Sequence, residues 1–174
     1  MKKRILLACA PVLLFPFVVA AETASVTMQS IDANGPVAVI GTVEFADTAK
    51  GLSIKPALSG LTPGNHGFHV HQNPDCGPAM KDDKMGAGLA AGGHYDPKET
   101  KKHAGPNKGG HLGDLPVLKV GKDGKATKTM TVKNLKVADI KGRSLMIHEH
   151  GDNYSDKPKA LGGGGGRVAC GLIK

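Results

Sequence analysis

The sequence predicts an all-β fold, a β-sandwich or flattened barrel. Short segments alternate apolar and polar residues with a period of two, turn chemistry separates them, and no stretch sustains a helical period. The 174 residues include 25 Gly and 11 Pro, with 3% aromatic residues and no Trp. That composition excludes a coiled coil or helical bundle, and 40% hydrophobic residues exclude a disordered chain. The length suits one domain.

The first segment reads as an address. Lys2, Lys3 and Arg4 precede an apolar run from Ile5 to Val19, and the small residues Ala20 and Ala21 follow. A basic head, a short apolar middle and a small-residue exit describe a cleaved secretory signal peptide, residues 1–21, with Ala20 as the alternative cut. Pro11 and Pro16 break the run, which falls short of the roughly 20 residues a spanning helix needs. Leu7-Ala8-Cys9 loosely mimics a lipoprotein site, but most of the apolar stretch lies beyond Cys9, which argues against lipidation. Cleavage leaves residues 22–174 as the mature domain. It removes three cations, so the formal charge falls from +8 to +5. Only Cys76 and Cys170 then remain, in a compartment that permits disulfides. One bridge between them would close a loop of about 95 residues, worth about 4.6 kcal/mol in the chain-entropy model.

Strands follow in order. Ala24–Ile31 pairs as a hairpin with the alternating segment Val37–Phe45, across the turn residues Asp32-Ala33-Asn34-Gly35-Pro36. Leu52–Leu58 and Gly67–His71 are the next candidates. Gly121-Lys122-Asp123-Gly124-Lys125 is expected to join Val117–Val120 to Ala126–Val132 as a second hairpin. Ser144–Glu149 and Arg167–Ile173 complete about eight strands. Residues 72–114 and 150–166 are Gly-rich polar loops, and loops of that length are usually functional.

The histidines fall on and beside those loops. His69 and His71, at i and i+2 of a strand, share a face about 6.6 Å apart along the chain, close enough to reach one metal ion. Phe68 and Val70 point the other way, into the core. His66 has the core parity and reads as a structural hydrogen-bonding residue. His94, His103, His111 and Asp114 crowd 21 residues and have the make-up of a closed zinc set. His148 and His150 form a second i, i+2 pair. One ion cannot use so many ligands, which points to two adjacent sites.

At this point the chain resembles the bacterial exported copper/zinc superoxide dismutases. The motifs that carry the resemblance are Gly64-Asn65-His66-Gly67-Phe68-His69-Val70-His71, Ala91-Gly92-Gly93-His94-Tyr95-Asp96-Pro97, His111-Leu112-Gly113-Asp114-Leu115-Pro116, Gly151-Asp152-Asn153-Tyr154-Ser155-Asp156 and Gly164-Gly165-Gly166-Arg167-Val168-Ala169-Cys170-Gly171. The resemblance implies an eight-stranded Greek-key β-barrel with long metal-binding and electrostatic loops. It implies copper held by His69, His71, His94 and His148, and zinc by His94, His103, His111 and Asp114, with His94 shared. Asp152 would link one ligand of each metal, and Arg167 would stand over the copper and attract substrate. Arg167 and His94 are thus the implied catalytic residues. Cys76–Cys170 would tie a loop to the last strand near that arginine. The motif register selects His148 over His150, because His148 directly follows Leu145-Met146-Ile147 and lies four before Asp152.

The implied reaction converts superoxide to dioxygen and hydrogen peroxide in the periplasm, with no stable membrane association after cleavage. Residues 98–143 carry twelve cations and four anions. That run is either a steering field for an anionic substrate or a solvated lysine-rich face. Two other function classes compete. An exported copper/zinc-binding or metal-delivery protein of the same fold would lack part of the copper set or Arg167, and both are present. A nucleic-acid module would need aromatic platforms, and four aromatics in the mature chain supply few, so no nucleic acid is expected. Monomer and homodimer remain open.

Overall fold

A computed structural model describes residues 20–174, so the expected leader falls almost wholly outside the described residues. β1 (Thr23–Asp32) and β2 (Gly35–Thr48) form the first hairpin. The Asn34 amide donates to Asp32 Oδ1 at 2.7 Å in its turn. Ala24, Val26 and Met28 of β1 and Val43 and Phe45 of β2 are buried in the core. The register then shifts after Met28. Such irregularities re-aim the residues beyond them, and Val37 and Val39 are 62% and 64% exposed on the far part of the hairpin. Alternation alone does not predict that exposure.

The chain continues through β3 (Gly51–Leu58), β4 (Gly64–His66) and β5 (Phe68–His71). The small hairpin of β6 (Ala79–Lys81) and β7 (Lys84–Gly86) interrupts the first long loop. β8 (Leu118–Val120), β9 (Met130–Val132), the four-residue helix α1 (Val137–Ile140), β10 (Ser144–His148) and β11 (Arg167–Leu172) complete the order. An antiparallel sheet runs β5-β10-β11-β1-β2-β3-β9, and β4 pairs separately with β8. With β4 and β5 counted as one strand broken at Gly67 and the loop hairpin set aside, eight strands remain, as expected.

One expected hairpin is not formed. The Gly121 amide bonds the Lys125 carbonyl at 2.8 Å, so the turn is real. However, β8 pairs with β4 while β9 pairs with β3. The turn is therefore a corner between two parts of the barrel, because each flanking segment finds an earlier strand as its hydrogen-bond partner.

The sheet around β5 and β10 has two differently used faces. Phe68, Val70, Leu145, Ile147 and Ala169 point into the barrel core. Residues of the other parity, Met146 and Cys170, pack with Ile31, Ala91 and Cys76 in a second cluster beneath the first loop. The Cys76–Cys170 disulfide staples that loop to β11, with a Cα separation of 5.7 Å. His69 and His71 pair opposite Met146 and Ser144, so they belong to the same loop-covered face. The chemistry therefore lies outside the barrel and under the loops.

Phe45 is 1% exposed at the centre of the main core. Phe45→Ala should cost about 3–5 kcal/mol in denaturant unfolding. Metal content of the folded fraction should not change, because the core and the histidine face are separate.

Candidate metal centre

β5 is the last strand of its sheet, so its outer edge needs hydrogen-bond partners. The first loop supplies them. The Val70 amide donates to Gly113, the Tyr95 amide to Val70, and the Gln72 amide to Gly93, at 2.9–3.0 Å. The pairing sets His94 directly opposite His71 and Asp114 opposite His69. Residues far apart in sequence are thereby placed around one strand.

The rings converge. The His69 and His94 rings stack at 3.9 Å, and His148 Nε2 lies 3.4 Å from His71 Nε2. His69, His71, His94 and His148 each bring a nitrogen within 4.8 Å of the others. Asp114 forms a second focus. Its Oδ1 lies 3.0 Å from His94 Nδ1 and 3.3 Å from His111 Nδ1, and its Oδ2 lies 3.0 Å from His103 Nδ1. By mutual distance alone the fourth member beside His94, His103 and Asp114 is His69 rather than His111. That follows from the stacking, which brings His69 as close to His94 as a ligand of the second set would be. His111 instead meets the set through its contact with Asp114.

Asp152 holds the two groups together. Its Oδ2 accepts from His69 Nε2 and its Oδ1 from His103 Nε2, each at 2.8 Å. These bonds turn Nδ1 of both rings inward. Gly162 is necessary to this contact: its φ is +73°, and a Cβ there would run into Asp152 Oδ1. The glycine run of the second loop thus packs on the pivot. Asp156 was not singled out from the sequence, although it stands in a quoted motif. It fixes the approach of His103 by accepting from its backbone amide at 2.9 Å. The Gly92 carbonyl was also missed, since a backbone acceptor has no side-chain signature. It takes His71 Nδ1 at 3.0 Å and Arg167 Nη2 at 2.6 Å. Arg167 Nη1 also donates to Gly88.

The two histidines outside the cluster are easily placed. His66 Nδ1 and Nε2 sit 2.7 and 2.8 Å from the His148 and Thr62 carbonyls, a structural brace. His150 is exposed, 3.8 Å from Glu149. β10 ends at His148 with a register irregularity, so strand parity no longer governs His150.

Electrostatics divide the cluster. Burial, then repulsion from neighbouring rings and Arg167 on protonation, pushes His71 and His148 well below the ordinary 6.5, and burial beside His69 takes His94 to about 3. Burial outweighs Asp152 to lower His69 as well. These four rings are neutral at pH 7 and offer lone pairs. His103 behaves oppositely: burial is overcome by Asp114 and Asp152, raising it to about 9. Both carboxyls lie well below the ordinary 3.8 despite burial, held by their histidine partners.

His69 Nδ1 and His94 Nε2 are buried without a hydrogen-bond partner, and His103 Nδ1 faces only the Asp114 carboxylate. An unpartnered buried polar atom costs about 1–3 kcal/mol, and these rings belong to groups whose ligand atoms lie within 4.8 Å of one another, which fits cations bound between them. Imidazole with one carboxylate suits zinc, while an all-imidazole set accommodates copper. The fold and site define a metalloprotein with paired histidine-rich centres on the outside of an antiparallel barrel.

Comparison with known proteins agrees. The family described as copper/zinc superoxide dismutase matches residues 39–173. Superoxide dismutase [Cu-Zn] of Brucella abortus biovar 1 is 51% identical over 162 residues, covering 92% of this chain and 94% of the relative. The solved Brucella abortus Cu/Zn superoxide dismutase superposes with a TM-score of 0.86 at 52% identity, over 88% of this chain and 100% of that one. The solved Salmonella enterica enzyme gives 0.79 at 52%, with the same coverage. The chain belongs to the copper/zinc superoxide dismutase family.

In the metal-free protein, Asp152→Ala should cost about 3 kcal/mol at neutral pH by removing two charge-assisted bonds. A depressed carboxyl stabilises above its ordinary pKa and loses that contribution as pH falls through its folded value. The gap between variant and wild type in denaturant unfolding should therefore narrow below the usual carboxylate range. The His103 contribution runs the other way, present below 6.5 and lost as pH rises through about 9.

Proposed function

We propose that residues 22–174, freed of an exported leader, act in the periplasm as a superoxide dismutase with copper at His69, His71, His94 and His148 and zinc at His94, His103, His111 and Asp114. The observation that carries this reading is the joining of both sets through His94 and Asp152, with Arg167 anchored on the carbonyl that also orients His71. Seven ligands serve two four-coordinate ions if His94 faces both. Its Nδ1 addresses Asp114, while its Nε2 is buried and unpartnered.

Copper held by His69, His71, His94 and His148 would supply the one-electron redox chemistry that dismutation needs, while zinc held by His94, His103, His111 and Asp114 would have no redox role. The protein does the rest. Arg167 presents a guanidinium, fixed by two carbonyls, to an anionic substrate. The four neutral rings leave the site free of competing protons. With both ions bound, the unpartnered His94 Nε2 would be the atom at which the chain takes up and releases a proton. Asp152 fixes ring orientation on both sides, as such partners of ligating histidines do. Steering is assigned to Arg167 rather than to the lysines of 98–143, of which Lys128 and Lys133 flank β9, the strand at the opposite end of the sheet from β5. The Salmonella enterica relative is monomeric, and this chain is read the same way.

The deciding experiment measures copper, zinc and dismutase activity of the purified mature chain. Near-equal metals, with activity lost on chelating copper, are expected. Full copper loading without activity would instead describe a storage or delivery protein. His148→Ala should lose copper and His150→Ala should keep most activity, and the reverse would move the ligand two residues along.

Arg167→Ala should lower the rate roughly tenfold and flatten its dependence on ionic strength. Arg167→Lys should keep the salt dependence but lose rate, because an ammonium cannot span both carbonyls. Stopped-flow assays across a salt series separate the two effects.

A further inference from the structure

The hairpin β6–β7 carries a feature unrelated to either histidine set. Asp82 and Asp83, its two loop residues, both have positive φ, 51° and 58°. That is the type I′ geometry that locks a two-residue hairpin in register. Lys81 pairs with Lys84 next to the turn, and Met80 pairs with Met85 one step further out. In such a hairpin the closing pair exchanges the hydrogen bonds, so the next pair is the closer, non-hydrogen-bonded kind. Opposed side chains there start with Cβ atoms about 4.5–5.5 Å apart on one face. Two flexible thioethers so placed can both reach a single ion at a metal–sulfur bond of about 2.3 Å.

Packing does not account for this pair. Met80 is 61% and Met85 49% exposed, whereas Met28 and Met146 are fully buried. The hairpin's other face carries Ala79, Lys81, Lys84 and Gly86; its lysines are exposed, and only the Ala79–Gly86 end is partly covered, with Leu89 lying where a Gly86 side chain would go. Strand alternation therefore sends both ammonium groups away from the sulfurs. Two surface thioethers on the face opposite the flanking Lys81 and Lys84 form a soft, uncharged donor pair, which selects copper(I) over zinc and over hard ions. The chain leaving this hairpin reaches Gly88 and Gly92, whose carbonyls hold Arg167 and, at Gly92, His71.

We propose that Met80 and Met85 form a docking site for copper(I), which captures the ion at the surface before it passes to the histidine set. The capture role rests on the copper reading above; the thioether site itself does not. Passage to the imidazoles exchanges sulfur for nitrogen donors without any change of oxidation state.

The test uses the mature chain with its histidine sites already filled by copper and zinc, titrated with silver(I) as a redox-inert stand-in for copper(I). One further equivalent is expected, with shifts confined to the Met80 and Met85 Cε methyl resonances. The Met80→Leu/Met85→Leu variant should lose that equivalent while keeping its metals and its dismutase activity. No extra equivalent in the wild type, or an equal one in the variant, would overturn the site. In a second arm, zinc-loaded, copper-free chains receive copper(I) from a competing chelator. Slower filling in the variant is expected, and equal rates would overturn the capture role. An inactive but fully loaded wild type would sink the dismutase reading while leaving the silver stoichiometry readable.

Discussion

The free edge of β5 is the constraint on which the centre depends. A strand with one unpaired edge and one solvent-side face is an aggregation hazard. Here the returning loop satisfies that edge with backbone hydrogen bonds from Gly93, Tyr95 and Gly113. Pairing geometry, not metal, brings His94 beside His71 and Asp114 beside His69. The same act protects the sheet and assembles ligands from positions more than forty residues apart. Much of the centre's preorganisation is therefore ordinary β-ladder chemistry.

What was legible in the sequence follows from which interactions are local. The period-two pattern exposed β1, β2, β3 and the shared face of His69 and His71, because parity is a property of neighbouring residues. The pairing of β8 with β4 and of β9 with β3 was not legible, because a good turn at 121–125 fits a hairpin and a corner equally well. The outward Val37 and Val39 depend on a register shift that is created only when β1 meets β2. In the site, every side chain that could hold metal carried a signal in spacing or motif. The Gly92 carbonyl and the fit of Gly162 against Asp152 had none that names their role, since each acts through backbone shape.

The centre also separates two electrostatic tasks within a few ångströms. Four rings without a close carboxylate of their own, or with burial outweighing it, are kept neutral. His103, between two carboxylates, is kept cationic until a metal or rising pH displaces its proton. Asp152 touches both regimes, and its burial is tolerable only because both its oxygens are engaged. The glycine-rich second loop contributes the absence of side chains, letting backbone close over that carboxylate. Composition that looks like linker is here a fitted cover.

The carbonyl of Gly92 is shared by the Arg167 guanidinium and by Nδ1 of His71. A carbonyl polarised by a cation is a poorer acceptor for a second donor, so the arginine drains electron density that would otherwise strengthen the imidazole as a base. Charge at position 167 is thus wired into ring basicity at position 71. If Arg167 attracts the substrate and His71 binds copper, as proposed, substrate attraction and the electronic character of the copper site are coupled, and a change in one moves the other.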